Sequence, residues 1–155
     1  MKNLINQFFI FGAEYLYIVI IVIALVYFLR QPKAIKKQII VFGMSALPLI
    51  YIVARIISLL YYNPRPFVEG NFIPLISHVP DNGFPSDHTL LSAAVATVFY
   101  PFNKKVALVL WIFTLAVGFS RVYTGIHHPI DVLGSVAIAS IVANLVYLFI
   151  KNSKV

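Results

Sequence analysis

The sequence predicts an all-α integral membrane protein: about five transmembrane helices in one bundle, with the N-terminus outside and the C-terminus cytoplasmic. Three observations carry this reading. Of 155 residues, 61% are hydrophobic and only 11% charged, against about 25% charged in ordinary soluble domains. Five stretches run almost without charge: about Phe8 to Leu29, Ile39 to Leu60, Thr89 to Phe102, Val106 to Ser120 and Ile130 to Ile150. The basic residues are also grouped, with Arg30, Lys33, Lys36 and Lys37 after the first run, Lys104 and Lys105 after the third, and Lys151 and Lys154 after the fifth. Short cytoplasmic loops collect Lys and Arg, which places these groups inside.

Taken in order, the first run is long, is interrupted by Glu14 and is followed by no small-residue cleavage site, so it reads as a span and not as a signal peptide. The second contains Pro48, which is expected to kink it. The third and fourth reach the roughly 20 residues of a span only if their flanks are buried too. The fifth starts at Pro129, a residue suited to the first turn of a helix. Segments 61 to 88 and 121 to 129 then face outward together, the former with room for two interfacial re-entries. The length suits one membrane-embedded domain, 1 to 155, with its motif region from 55 to 131.

Twelve Lys+Arg against five Asp+Glu give a net charge of +7. With eight of those cations spread over three membrane-edge segments, topology explains the charge and no nucleic-acid partner is expected; the partners are membrane lipids. The absence of Cys excludes disulfides and thiolate chemistry. Apart from Lys2, the remaining charges are Glu14, Arg55, Arg65, Glu69, Asp81, Asp87, Arg121 and Asp131, all on the outer half. Ionisable groups cost roughly 2.5 to 3.5 kcal/mol at a helix centre on insertion scales, which marks such residues as functional.

Three short segments meet at this outer rim: Arg65-Pro66, Pro85-Ser86-Asp87-His88, and Ser120-Arg121 followed by His127 and Asp131. Arginine forks fit phosphate oxygens and stay charged. Neutral imidazole can act as a nucleophile, and a second, protonated imidazole can serve a leaving oxygen. Asp131, in the first turn after Pro129, can reach back to one nitrogen of His127 and aim the other outward. Ser86 or Asp87 is a natural N-cap for the third span, turning backbone N–H groups toward an anion, and His88 in that first turn is the better acid.

This arrangement resembles the three-part signature of the type 2 phosphatidic acid phosphatase superfamily. The resemblance covers roughly residues 55 to 131. It implies a phosphohistidine nucleophile at His127, Asp131 as its partner, His88 as the acid, a phosphate held by Arg65, Arg121 and Ser86, and no metal or cofactor. Two positions depart from the family pattern. The family lysine seven residues before Arg65 is Ser58 here, and Arg55, one turn earlier on the same helix face, is the nearest cation to replace it; otherwise Arg55 snorkels or pairs with Glu14. Asp87 stands where glycine is commoner, and a carboxylate there must cap the helix or pair with an arginine. Pro-Ser-Asp-His is similar to the variant in bacterial undecaprenyl pyrophosphate phosphatases of the bacitracin-resistance type.

Three other readings compete. His88, His127, His128, Asp87 and Asp131 could ligate a metal, but arginines converging on the same rim repel one. A transporter is the second, against which stands the lack of evident inverted repeats. The third is a relative acting on phosphatidylglycerophosphate, diacylglycerol pyrophosphate or phosphatidic acid. His78, Asp81 and Glu69 read as loop residues beside the Asn82-Gly83 turn, and His128 as a helix cap. The expected activity is hydrolysis of a polyprenyl pyrophosphate, or failing that a phospholipid, at the outer face of a bacterial cytoplasmic membrane, in recycling of the carrier lipid for envelope synthesis.

Overall fold

The computed structural model describes residues 2–153, so Lys154, counted above among the cytoplasmic cations, lies outside the described residues. The elements are α1 (Lys2–Glu14), α2 (Leu16–Leu29), α3 (Lys33–Leu60), α4 (Pro66–Glu69), α5 (Asp87–Phe99), α6 (Lys104–Tyr123) and α7 (Pro129–Asn152). Among the described residues, three helices are long and apolar enough to cross a membrane, namely α3, α6 and α7; a fourth span exists if α1 and α2 are taken as one bent by 50°.

The expectation of five spans is therefore corrected to three, or up to four. The run from Thr89 to Phe102 yields only a 13-residue helix, α5. At about 1.5 Å per residue it rises about 20 Å, short of a hydrocarbon core of about 30 Å. It is apolar for another reason: it lies among α2, α3, α6 and α7 and packs on all four. Ala93, Ala94 and Ala96 are buried and small, which lets neighbouring backbones close around it. A turn through Tyr100–Phe102 stops the helix, and Asn103 starts the next by accepting from the N–H groups of Lys105 and Val106 at 3.0 and 3.1 Å.

The first predicted span is broken at Tyr15. There α1 tilts to lay Phe9 on Tyr123, with ring centroids 3.9 Å apart, and to seat Ala13 against α6. Gly12 makes the close approach possible, because a Cβ there would run into the Ser120 hydroxyl. The bend also leaves the carbonyl of Ala13 free to accept from Arg121. In α3 the helix continues unbroken through Pro48, and its buried residues Ile39, Phe42, Gly43, Ala46, Ile50 and Ala54 form one stripe of helical period. The faces turned away from the bundle are apolar: Met44, Leu59, Leu108, Leu133 and Phe149 are all exposed, as lipid contact requires.

His78, His88 and His127 line one cavity together with Arg55, Arg65 and Arg121. Gln31, Lys37, Phe102 and Lys151 line a cavity of about 630 Å³ which gathers the basic segments at another place. That cavity is larger than the one at the histidines, but has no histidine, arginine or carboxylate in its wall.

Between α7 and the end of α3, Phe84 is buried with its ring edge-on to Tyr61 at 4.9 Å. It fits because Gly134 faces it without a side chain; a Cβ on Gly134 would meet the ring. Gly134→Val should therefore displace Phe84 and cost about 1 to 3 kcal/mol. Thermal unfolding in detergent should show a lower Tm, partly recovered when Phe84→Leu is added; an unchanged Tm would contradict this packing.

Candidate active site

Pro129 opens α7, which sets His128 at the cap and Asp131 in the first turn. Asp131 Oδ2 accepts the backbone N–H of His128 at 2.8 Å and stands 3.2 Å from His127 Nδ1. Asp131 Oδ1 accepts from Asn63 Nδ2 at 2.7 Å. The carboxylate is fully buried and takes all three partners.

The other nitrogen of His127 faces two guanidinium groups, with Arg65 Nη1 at 3.3 Å and Arg121 Nη2 at 3.2 Å from Nε2. Guanidinium can only donate, so Nε2 accepts and the ring proton resides on Nδ1, toward Asp131. Burial pushes the His127 pKa below its ordinary value, opposed by the bond to Asp131 and reinforced by Arg121 and Arg65. The result is a neutral imidazole of fixed tautomer whose lone pair points between two cations. Such a group can attack an electrophilic anion bound by those cations.

The arginines are themselves fixed, each only 5% exposed. Arg65 donates from Nε to Asp81 at 2.6 Å and from Nη1 to the carbonyl of Ile126 at 2.8 Å. Arg121 reaches back to Ala13, and its Nε is buried without a partner. Both line a cavity of about 140 Å³ together with Arg55, Asp87, His88 and His127. At about 30 Å³ per water that is room for four or five waters, or for a phosphoryl group.

His88 is in the first turn of α5, its ring edge-on to Tyr17 at 4.7 Å. Burial, with Arg121 adding to it against Asp87, pulls its pKa down to about 4. By itself it is neutral at physiological pH, and a bound polyanion would favour its protonated form. Asp87 forms an ion pair with Arg55, whose guanidinium also lies over Tyr51 at 4.9 Å. Arg55 thus pairs with Asp87, not with Glu14, and both pair members line the cavity. Ser86 stands at the N-cap position of α5, yet its hydroxyl makes no cap bond; fully buried, it accepts from Thr89 Oγ1 at 3.1 Å. Its neighbours Pro85, Asp87 and His88 form the cavity wall.

Several contributors escaped the sequence reading. Asn63 steadies Asp131, and Asp81, taken for a loop residue, anchors Arg65. His78 joins the cavity wall. Asn82 accepts from the N–H groups of Asn63 and Phe84 and donates to the carbonyls of Ser58 and Tyr61, tying the end of α3 to the segment before α5. Their one legible signal was proximity in sequence to Arg65 and Pro85. His128 acts as the cap expected of it, and its Nε2 lies 3.1 Å from Glu69. Beside the cavity runs a second hollow of about 360 Å³, walled by Leu47, Ile50 and Tyr51 of α3 and by Leu90, Leu91 and Ala94 of α5.

Residues 40–154 match the PAP2 superfamily. The undecaprenyl-diphosphatase BcrC of Bacillus subtilis is 33% identical over 148 residues, covering 96% of this chain and 76% of that protein. The bacitracin transport permease protein BcrC of Bacillus licheniformis is 30% identical over 146 residues, 94% of this chain and 71% of that protein. The fold is that of Aquifex aeolicus LpxE, with a TM-score of 0.72 at 23% identity over 94% of this chain and 86% of that one. Matched over most of its length by that family and by these bacterial relatives, the chain belongs to the PAP2 superfamily and is a multi-pass inner-membrane phosphatase acting on a lipid phosphate or pyrophosphate.

Proposed function

We propose that the chain hydrolyses a polyprenyl diphosphate, undecaprenyl diphosphate being the model case, to the monophosphate and inorganic phosphate. The observation that carries the mechanism is the unprotonated Nε2 of His127, backed through Nδ1 by Asp131 and flanked by Arg65 and Arg121. In this reading Arg65 and Arg121 hold the terminal phosphoryl group and spread its developing charge, with Arg55 in the same cavity wall and the buried start of α5 around Ser86 at their side. Nε2 bonds to phosphorus as the bond to the bridging oxygen breaks, and that oxygen leaves with its electron pair on the lipid monophosphate. Water then attacks the phosphohistidine, His88 takes its proton, and phosphate departs with His127 restored. No step calls on a metal or cofactor, and a rim of arginines suits an anion.

The preference for a diphosphate follows from leaving-group chemistry. A phosphate monoester has a second pKa near 6 and leaves without a proton at neutral pH, whereas an alkoxide needs one. Burial and Arg121 hold the His88 pKa down to about 4 and a bound polyanion raises it, which leaves the ring able to take the proton of the attacking water near neutral pH. The names of BcrC and of the putative undecaprenyl-diphosphatase YbjG of Escherichia coli, 31% identical over 126 residues, point the same way. The first isoprene units of the lipid chain can lie in the apolar hollow between α3 and α5. With the lysine-bearing end in the cytoplasm, as the positive-inside rule expects, the histidines would face out, which suits recycling of an envelope carrier lipid.

Phosphate release from purified protein tests this reading across a panel of undecaprenyl diphosphate, phosphatidylglycerophosphate, diacylglycerol pyrophosphate and phosphatidic acid. Undecaprenyl diphosphate should give the highest kcat/KM. His127→Ala should lower kcat by about 10³ or more, and Asp131→Asn by about a hundredfold or more, because the nucleophile remains but its tautomer is freed. Near wild-type turnover in His127→Ala would exclude the phosphohistidine.

The pH profile tests the state of the same ring. His127 must be neutral to attack and its pKa lies below the ordinary 6.5, so activity should be complete above that value and fall as pH drops through the lowered one. Once the substrate's own ionisation is subtracted, by phosphorus NMR, the acid limb of kcat/KM should lie below pH 6.5. A limb at or above it would mean that burial does not control this imidazole.

Orientation is tested with thiol labelling in this Cys-free chain. Ser77 and Gln38 are both exposed. In intact cells a membrane-impermeant maleimide should react with Ser77→Cys, and with Gln38→Cys only after permeabilisation; the reverse pattern would place the site inside.

A further inference from the structure

The polar cavity and the apolar hollow have two lining residues in common, Arg55 and Asp87. Their ion pair is therefore the seam between the place of phosphoryl transfer and the place of the lipid chain. It is not a closed unit. Arg55 keeps a buried Nε without a partner, and the Asp87 side chain is 61% exposed. A lipid with its terminal phosphoryl group at His127 and its chain between α3 and α5 must pass this seam. What lies there depends on the substrate: the second, non-transferred phosphate of a diphosphate, or the first alkyl carbons of a monophosphate ester.

We propose that Arg55 and Asp87 form a specificity site for the non-transferred phosphate, in which Arg55 exchanges the Asp87 carboxylate for that phosphate while Tyr51 keeps the guanidinium in place. The inference rests on the reading of the cavity as the site of phosphoryl transfer. Without a diphosphate, Asp87 neutralises Arg55 and spares a lone cation beside lipid. With one, the planar fork gains a second anionic partner, and its unpartnered N–H a bond. Asp87 also sets a threshold, since an alkyl chain offers Arg55 nothing in return for the lost ion pair. The seam thus separates two jobs among the arginines: Arg65 and Arg121 meet the group that moves, and Arg55 the group that stays.

Substrates with the same polyprenyl chain, as diphosphate and as monophosphate, should be compared with full-length protein in mixed micelles. Arg55→Gln should lower the ratio of kcat/KM for diphosphate over monophosphate about tenfold or more, as loss of a charge-assisted contact predicts. Arg55→Lys should restore part of the ratio, and Asp87→Asn should keep the preference while lowering KM for the diphosphate. Thermal-shift competition gives the same readout without turnover: inorganic pyrophosphate should protect wild type better than inorganic phosphate, and Arg55→Gln should lose that margin. Parallel loss on both substrates, with the pyrophosphate margin intact, would overturn the proposal and assign Arg55 to the transferred phosphate. A wild type that releases phosphate from neither lipid while still binding pyrophosphate would overturn the phosphatase reading and leave the seam as an anion site.

Discussion

Two guanidinium groups, both nearly out of reach of water, approach one imidazole nitrogen. Desolvating a single cation costs several kcal/mol, and two side by side repel each other as well. The structure meets this cost in part: Asp81 and the carbonyl of Ile126 take Arg65, the carbonyl of Ala13 takes Arg121, and Asp131 balances the site from behind His127. Much else in the fold serves these contacts. The bend at Tyr15 frees the Ala13 carbonyl, Gly12 lets α1 come close enough to offer it, and Asn82 fixes the segment that carries Asp81. Among the described residues Arg121 Nε is buried without a partner, and both arginines line the cavity, where an anion can complete their bonding.

How much of this was legible in the sequence depended on distance along the chain. The relation of His127 to Asp131 spans four residues and one helix start, so Pro129 and the spacing were enough to foresee the contact. The pairing of Arg55 with Asp87 crosses 32 residues and that of Asn63 with Asp131 crosses 68. No local rule reaches so far. Asp81 was taken for a solvated loop residue because an Asp beside Asn-Gly usually is one. The demand for a counter-charge near Arg65 was the one physical hint against it.

The count of spans failed for a related reason. An apolar run reports that a segment avoids water, and does not say whether lipid or protein replaces it. The uncharged stretch around α5 looks like a weak span by composition, yet its alanines, threonines and Ser92 are those of a helix enclosed by other helices. In the same way Glu14 was seen to interrupt the first run, but composition alone did not reveal that the chain turns there by 50°.

Enclosure of α5 leaves little room for neutral drift. Of its thirteen residues only Asp87 and Leu91 are exposed, and both line the hollow between α3 and α5. The outer faces of α3, α6 and α7 can trade one aliphatic side chain for another as membranes of different thickness or fluidity require. On α5 a larger side chain would part helices that carry the arginines, and a change at its two open positions would alter the wall met by the lipid. Adaptation to a new bilayer is thus written on the lipid-facing sides of α3, α6 and α7, and adaptation to a new substrate on α5 and on the side of α3 that faces it.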